Sequence, residues 1–191
     1  MKFQQSIDLL EEDLHWYDSA QQLSQLHPAA VAELKNPNSL TSRVKQFAAG
    51  SFQLHVHQEN WRILPDLQLR QQFGPLANSH QCWSRQVSLW GKEQPWILAH
   101  SLMPAHAQLS QLGELLALGD KPLGGFLFDH PDLIRANLQF TCTESGLWGR
   151  RSVFFLFRKP ILVAEFFTPA YLSIAATEPI DKARDASVIG A

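Results

Sequence analysis

The sequence has few of the residues and motifs that mark the most easily recognised protein classes. It contains two cysteines among 191 residues, Cys82 and Cys142, and they form no CxxC pair. A disulfide-rich scaffold or a zinc ribbon is therefore not indicated, and we expect two free thiols. The formal net charge is −2 and no basic run is present, so the sequence gives no basis for binding nucleic acid. Strings of the GxGxxG or GxxxxGK[ST] type, which bind dinucleotides and phosphates, are also missing.

Long apolar segments are missing as well. No apolar stretch follows Met1, and the longest apolar runs have the length of strands. Such runs are too short to span a bilayer, and the beginning of the sequence does not resemble a secretory signal. We therefore expect a cytoplasmic protein without stable membrane insertion.

The residues that are present indicate a folded chain with a substantial core. Hydrophobic residues make up 45% of the sequence and charged residues 18%, with six Trp and twelve Phe. This length and composition are typical of one globular domain with extensions. We predict a helical N-terminal extension over residues 1–28, a single domain over 29–172 and a flexible tail over 173–191.

Hydrophobic periodicity predicts both helices and strands. Helical spacing of apolar residues is found between residues 7 and 26, over 29–34, over 40–47 with Ser39 as N-cap, and around Leu112, and a further helix is predicted to start at Asp120. Alternating or continuous apolar runs predict strands over 52–57, 82–89, 95–103, 136–142, 153–157 and 161–167. Because most strands are joined by short turns, they must pair antiparallel, and the predicted fold is α+β with about six strands. Residues 58–80 show little periodicity and are predicted to be a loop that acts as a lid.

Two charged residues lie within otherwise apolar strand patterns. Glu165 is in the middle of the last predicted strand, and Arg85 shares a strand face with Trp83, Val87 and Leu89. Burying either charge without a partner would cost several kcal/mol. One interpretation is a pocket in which Arg85 binds a substrate carboxylate and Glu165 forms a hydrogen bond or exchanges a proton. The other interpretation is a structural ion pair between the two residues.

Arg150 and Arg151 precede the last hairpin and point to opposite faces of their strand, so at most one of them can reach the same site. The register of the hairpin decides which one does. A two-residue turn at Arg158-Lys159 would place Arg150 diagonal to Glu165. A three-residue turn would place Arg151 there, and the sequence leaves both registers open.

His55 and His57 form an HxH pair on one predicted strand, a spacing that can hold a metal ion. A third ligand is not close in sequence, so no metal site is expected. A metal-dependent enzyme remains an alternative, which loss of activity with a chelator would reveal.

Several strings resemble one known family. The segments 121–128 (KPLGGFLF), 146–152 (GLWGRRS) and 159–169 (KPILVAEFFTP) resemble the bacterial chorismate pyruvate-lyases in order and spacing, as do 83–87 (WSRQV) and 95–104. The resemblance covers roughly residues 29–172. It implies a single α+β domain built on a six-stranded antiparallel sheet with helices packed against it, acting as a monomer without a metal or organic cofactor. The implied reaction converts chorismate into 4-hydroxybenzoate and pyruvate, as the first step of ubiquinone biosynthesis.

The resemblance also implies roles for particular residues. The ligand-binding arginine of the family falls on Arg85, its pocket glutamate on Glu165, and the leucine that contributes its backbone amide on Leu123. The residue after the helix-capping serine, often Met in the family, is Leu40 here. Chorismate carries a second carboxylate on its enolpyruvyl group, and our hypothesis is that Arg150 or Arg151 binds it.

A binding protein of the same fold is the main alternative function. Ligand-sensing domains of some bacterial transcription regulators resemble this fold and bind small molecules such as aromatic carboxylates without catalysis. They carry an N-terminal winged-helix domain, whereas only about 50 residues precede the first predicted strand here, with no basic recognition helix.

Overall fold

The structure is a computed structural model that describes residues 14–64, 72–73, 81–105 and 111–177. The helices are α1 (Pro28–Lys35), α2 (Leu40–Ala48), α3 (Leu123–Phe128) and α4 (Pro169–Thr177), with 3-10 helices at Ala20–Gln25 and Gln111–Ala117. The strands are β1 (Gln53–Ile63), β2 (Gln81–Gly91), β3 (Gln94–Pro104), β4 (Ile134–Arg135), β5 (Gln139–Cys142), β6 (Trp148–Leu156) and β7 (Lys159–Phe167).

All strands in the described ranges pair antiparallel in one sheet. Its order is β1-β2-β3-β7-β6-β4, and β5 pairs with the first half of β6 on the same edge as β4. The predicted α+β class and antiparallel sheet are thus confirmed. The two-residue strand β4 is the addition to the six strands predicted, because so short a segment carries no periodicity.

The hairpin of β6 and β7 has a register that neither sequence interpretation anticipated. Its two turn residues are Phe157 and Arg158, both with positive φ (50° and 61°), and Leu156 pairs with Lys159. Such left-handed two-residue turns match the twist of the flanking strands. Since the turn begins one residue earlier than predicted, both proposed registers are wrong, and Arg150 lies directly opposite Glu165.

Both faces of the sheet are covered, as the continuous apolar runs of β6 and β7 predicted. Helices cover one face and form two separate clusters on it. The first joins α1, α2 and α4 to the sheet and includes Leu34, Val44, Trp96, Phe167 and Tyr171. The second joins α3 and the 3-10 helix Gln111–Ala117 to the other end of the same face, with Leu118, Leu127, Phe154, Ile161 and Val163. The opposite face is covered by Leu64 and Phe73, together with Leu14 and Trp16.

The predicted N-terminal helix is wrong over its described part. Residues 14–19 are not helical, and Tyr17 exchanges two backbone hydrogen bonds of 2.8 Å with Phe140. Only Ala20–Gln25 is helical, as a 3-10 helix capped by Ser19. Leu14 and Trp16 instead alternate with more exposed neighbours and pack onto the sheet, so the helical spacing of the apolar residues was misleading. Residues 1–13 lie outside the described ranges.

Three other boundaries also differ from the prediction. Strand β1 continues to Ile63, and the sequence did not predict this because a bulge between Val56 and Gln58 interrupts the alternation of side chains. Within the predicted lid, residues 65–71 and 74–80 lie outside the described residues. Helix α3 begins at Leu123 with Pro122 at its N-cap position, so Asp120 is not the cap. Residues 173–177 belong to α4 rather than to a tail, because Ala175 is buried in the core.

The structure also describes both cysteines of the chain. Both cysteines are free, as expected, with Cys82 buried and Cys142 exposed. Burial raises the pKa of the Cys82 thiol to about 12, which makes it unreactive at neutral pH. No helix in the described ranges is long and apolar enough to cross a membrane.

Candidate active site

A pocket opens on the helix-covered face, between the two hydrophobic clusters. It encloses about 580 Å³ of unfilled space, including its opening to solvent. Leu40 and Leu89 from the first cluster and Leu127, Phe154 and Val163 from the second line it. The site therefore lies where the helix layer is interrupted, with apolar walls of the kind that bind small molecules.

Small side chains on the central strand β3 form the floor of the pocket. Ala99 and Ser101 both line it, and they pair with residues of β2 on one side and of β7 on the other. Arg85 lies across from Ser101 on β2, and Glu165 lies across from Ala99 on β7. Because the intervening side chains are small, a ligand can lie between the arginine and the glutamate.

The first residues of two helices complete the walls. Leu40 begins α2, where the Ser39 hydroxyl accepts a hydrogen bond from the Ser42 amide, and Leu123 begins α3. A Cβ on Gly124 would lie 2.8 Å from Oγ1 of Thr41. Glycine at this position therefore allows α3 to approach α2 closely enough for both helix starts to line the pocket.

Arg85 is buried, with 3% of its surface exposed, and only part of its hydrogen-bonding capacity is used. Nη2 donates to the carbonyl oxygens of Gly119 (2.7 Å) and Lys121 (2.9 Å). Nε lies 3.2 Å from Oε1 of Glu59, as an ion pair without the alignment of a hydrogen bond. Among the residues that the structure describes, Nε and Nη1 have no hydrogen-bond acceptor although both are buried.

This environment also changes the acidity of the guanidinium. Burial lowers the pKa of Arg85 below its ordinary value, and the charges of Glu59 and Asp120 oppose that shift. Leaving buried donors of a charged group unsatisfied is costly. An anionic ligand that accepts from Nη1 would remove part of that cost.

Glu165 is paired with Arg150 rather than with Arg85. Nε of Arg150 donates to Oε2 of Glu165 over 2.7 Å, and the side chain of Glu165 remains 17% exposed. The guanidinium of Arg150 is almost fully buried, and its Nη1 donates to the carbonyl oxygens at the end of α1 and just beyond, those of Glu33, Leu34 and Asn36. Of the two interpretations, the structural ion pair between Arg85 and Glu165 is therefore wrong, and both residues line the same pocket.

Arg151 lies on the opposite face of β6 from the pocket. Its guanidinium stacks 4.4 Å from the centre of the Trp16 ring, and its Nε donates to Oε1 of Gln139. Of the two arginines that the sequence left open, the structure thus places Arg150 in the pocket and Arg151 outside it.

The sequence analysis missed Arg135, a third pocket arginine. It lies on the short strand β4, donates from Nε to the Ser152 hydroxyl (2.8 Å) and from Nη1 to the Pro37 carbonyl (3.0 Å), and stacks on the Phe154 ring at 4.8 Å. Burial, together with the neighbouring charge of Arg150, lowers the pKa of Arg135 to about 10, and Glu165 partly offsets this. A two-residue strand has no periodicity that could have identified this position.

Glu59, the charge partner of Arg85, was missed for a different reason. The bulge in β1 made residues 58–63 resemble a loop, whereas the register pairs Glu59 directly with Arg85. Continued alternation beyond a bulge was the signal that could have found it.

The two histidines of the HxH pair make hydrogen bonds to protein side chains. His55 contacts Oε1 of Gln53 at 3.2 Å, and His57 contacts the Ser88 hydroxyl at 2.7 Å. Within the described ranges, no group of three or more His, Cys, Asp or Glu side chains is arranged to hold a metal ion.

The family model and the similar sequences among known proteins point to the same family. The family model described as chorismate lyase matches residues 10–175. A chorismate pyruvate-lyase from Serratia proteamaculans is 33% identical over 144 residues, which is 75% of this chain and 80% of the relative. A probable chorismate pyruvate-lyase from Pseudomonas aeruginosa is 33% identical over 160 residues, covering 78% and 89%. Among solved structures, the C-terminal domain of a histidine utilization repressor from Pseudomonas syringae aligns with a TM-score of 0.48 at 7% identity, over 63% of this chain and 93% of that domain, which supports no functional inference.

Proposed function

This chain belongs to the chorismate lyase family, and we propose that its pocket binds chorismate and eliminates pyruvate from it, leaving 4-hydroxybenzoate. The observation that carries the proposal is Arg85, whose buried Nε and Nη1 find no acceptor among the described residues, at the wall of a pocket that also contains Glu165. Such a pair suits a ligand with a carboxylate at one end and a reacting hydroxyl-bearing carbon further along.

Arg85 and the backbone amide of Leu123 hold the ring carboxylate in this proposal. Pro122, at the N-cap position of α3, makes no side-chain cap hydrogen bond, so the cap residue does not compete with an anion for the amides of the first turn. Leu40 contributes a contact at the start of α2. These three residues line the same pocket, which supports a single binding site for the ring.

Glu165 then lies beside the ring carbon that bears the hydroxyl group. During the elimination, the Glu165 carboxylate takes the proton from this carbon, and the electron pair of the broken C–H bond forms the last double bond of the aromatic ring. The C–O bond to the enolpyruvyl group breaks with its electron pair leaving on oxygen, and the departing enolate takes up the released proton to become pyruvate. Aromatisation drives the reaction, so orientation and charge placement can supply most of the catalysis.

We further propose that the enzyme works in the cytoplasm as a monomer, without a metal or organic cofactor, and that its 4-hydroxybenzoate is used for ubiquinone biosynthesis. The family resemblance supports each of these points. Glu165 and the pocket arginines are the groups that carry the chemistry, because elimination requires only proton transfer and charge stabilisation.

Turnover of chorismate tests the proposed function directly. Purified protein treated with a chelator is expected to release 4-hydroxybenzoate and pyruvate in a 1:1 ratio, followed by chromatography and a coupled pyruvate assay. Binding of 4-hydroxybenzoate without any product from chorismate would instead indicate a ligand-sensing protein. Absence of both binding and turnover would contradict the assigned site, and activity that requires added metal would contradict the cofactor proposal.

Replacing Glu165 with glutamine tests the role of the carboxylate. We expect kcat/KM for chorismate to fall by about 30-fold, equivalent to roughly 2 kcal/mol of transition-state stabilisation. The glutamine carbonyl can still accept the hydrogen bond from Arg150, so the local geometry should be retained. Steady-state kinetics and the melting temperature are measured together; unchanged kcat/KM in a folded variant would remove Glu165 from the mechanism.

A further inference from the structure

The pocket is lined by more positive than negative charge. Among the described lining residues are three guanidinium groups, those of Arg85, Arg135 and Arg150, and the single carboxylate of Glu165. Arg150 is already engaged by Glu165 and by three backbone carbonyls around the end of α1. The charge and the donors of Arg150 are therefore used in contacts within the protein.

We propose that Arg135, rather than Arg150 or Arg151, binds the second carboxylate of the substrate, the one on the departing enolpyruvyl group. This inference rests on the proposed function, because it assigns a subsite within the same pocket. Chorismate is a dianion, and Arg85 accounts for only one of its two carboxylates. Arg135 supplies the second cation that the ligand requires.

The position of Arg135 in the sheet supports this assignment. Arg85 is on β2, Glu165 on β7 and Arg135 on β4, so the strand order places the carboxylate between the two arginines. The strands β2 and β4 are four steps apart, or about 19 Å at the level of the backbone. The side chains of both arginines line the same pocket, so their guanidinium groups approach each other more closely than the two strands do. A ligand held at both ends would have its ring over Glu165.

The guanidinium of Arg135 is held in place before any ligand binds. Its Nε and Nη1 are fixed by the Ser152 hydroxyl and the Pro37 carbonyl, and the Phe154 ring supports its face. The hydrogen bonds described above come from Nε and Nη1, so Nη2 is the nitrogen that we assign to the ligand. A preorganised donor loses little conformational entropy when it binds an anion.

Its electrostatic environment also favours an anion. The pKa of Arg135 is lowered by burial and by repulsion from Arg150. A carboxylate placed next to Arg135 would offset both effects, since an opposite charge stabilises the protonated guanidinium. The enolate that forms when the C–O bond breaks adds negative charge on the same fragment, so this cation would also stabilise the transition state.

The proposal predicts a difference between substrate and product. 4-Hydroxybenzoate has no second carboxylate, so Arg135 should contribute to chorismate binding and turnover but not to product affinity. A purely structural arginine that connects β4 to Pro37 and Ser152 would affect both ligands equally. The two roles can therefore be separated by comparing ligands within one variant.

Two stable probes isolate the second carboxylate. 3-(Carboxymethoxy)-4-hydroxybenzoate carries it on an ether at the position from which chorismate loses its side chain, and 3-methoxy-4-hydroxybenzoate has the same ether without the charge. Calorimetry with wild type, Arg135→Gln and Arg135→Met gives the ratio of the two affinities for each protein. This ratio does not depend on the folded fraction, so a loss of stability in one variant leaves the test valid.

We expect both neutral variants to bind the dicarboxylate about 10- to 100-fold more weakly, as for a lost charge-assisted hydrogen bond. The methoxy probe and 4-hydroxybenzoate should bind them as they bind wild type, and kcat/KM for chorismate should fall by a similar factor. Arg158→Gln, in the exposed β6–β7 turn, is the matched control and should change none of these values.

The outcomes separate this inference from the proposed function. An unchanged ratio of affinities in Arg135→Gln and Arg135→Met would overturn the inference, even if wild type converts chorismate. Equal weakening of both probes would also overturn it, because that indicates a structural role. If wild type fails to turn over chorismate but the ratio falls in both variants, the second carboxylate subsite is supported while the lyase activity is not.

Discussion

Replacing Arg85 with alanine is expected to reduce kcat/KM for chorismate by about 100-fold or more and to weaken 4-hydroxybenzoate binding strongly. The substitution removes the buried guanidinium whose Nε and Nη1 lack acceptors in the described part of the chain. Both ligands carry the ring carboxylate, so both should be affected, in contrast to the variants of Arg135. Steady-state kinetics and product titration by calorimetry measure the two effects.

Arg85 also has a structural contribution that a control must separate. Its Nη2 holds the carbonyls of Gly119 and Lys121 just before α3. Arg85→Lys retains a cation and can keep one of these contacts, but it cannot reproduce the planar set of donors. We expect it to stay near the wild-type melting temperature and still to lose most product affinity. Unchanged 4-hydroxybenzoate affinity in the alanine variant would show that the ring carboxylate binds elsewhere.

Replacing Arg150 with methionine is expected to lower the free energy of unfolding by about 3–5 kcal/mol. The substitution leaves the Glu165 carboxylate without its ion-pair partner and several backbone carbonyls without their hydrogen-bond donor. Arg150 joins β6 to α1 through the carbonyls of Glu33, Leu34 and Asn36, and it neutralises Glu165. Urea denaturation followed by fluorescence measures the loss. The loss of stability should exceed that caused by replacing any exposed arginine with methionine.

Two further variants make this prediction specific. Arg158→Met, in the exposed turn, should change stability by no more than about 0.5 kcal/mol. The double variant Arg150→Met with Glu165→Leu should be more stable than Arg150→Met alone, since it also removes the unpaired carboxylate. If Arg150→Met unfolds at the same urea concentration as wild type, the guanidinium does not stabilise this junction.

Local patterns in the sequence were sufficient for much of the secondary structure. The helix over 40–47 with its Ser39 cap and the strands around Arg85 and Glu165 were predicted correctly, because capping residues and hydrophobic alternation act over a few neighbouring residues. The antiparallel α+β fold followed from short turns between strands. Local reasoning failed where a short-range pattern was ambiguous, as in the apolar spacing before Ala20 and at the bulge in β1.

The candidate site was only partly predictable for the same reason. Arg85 and Glu165 stood out because a charge within an apolar strand pattern requires a partner or a ligand. The identity of those partners depends on strands distant in sequence, and so the sequence could not show that Glu59 pairs with Arg85 and Arg150 with Glu165. Recognition of the family added the expected chemistry but not these pairs.

Residue patterns alone thus establish the fold class, the family and the two charged residues that first indicated a pocket. Strand pairing in the folded sheet was needed to show which arginine shares the face of Glu165, because a two-residue turn puts Arg150 on that face and a three-residue turn puts Arg151 there. It also brought Arg135 into the site, since β4 reaches β6 only when residues far apart in the chain pair with each other. Pairing between distant segments depends on the packing of the complete sheet, and a local sequence pattern contains no information about that packing.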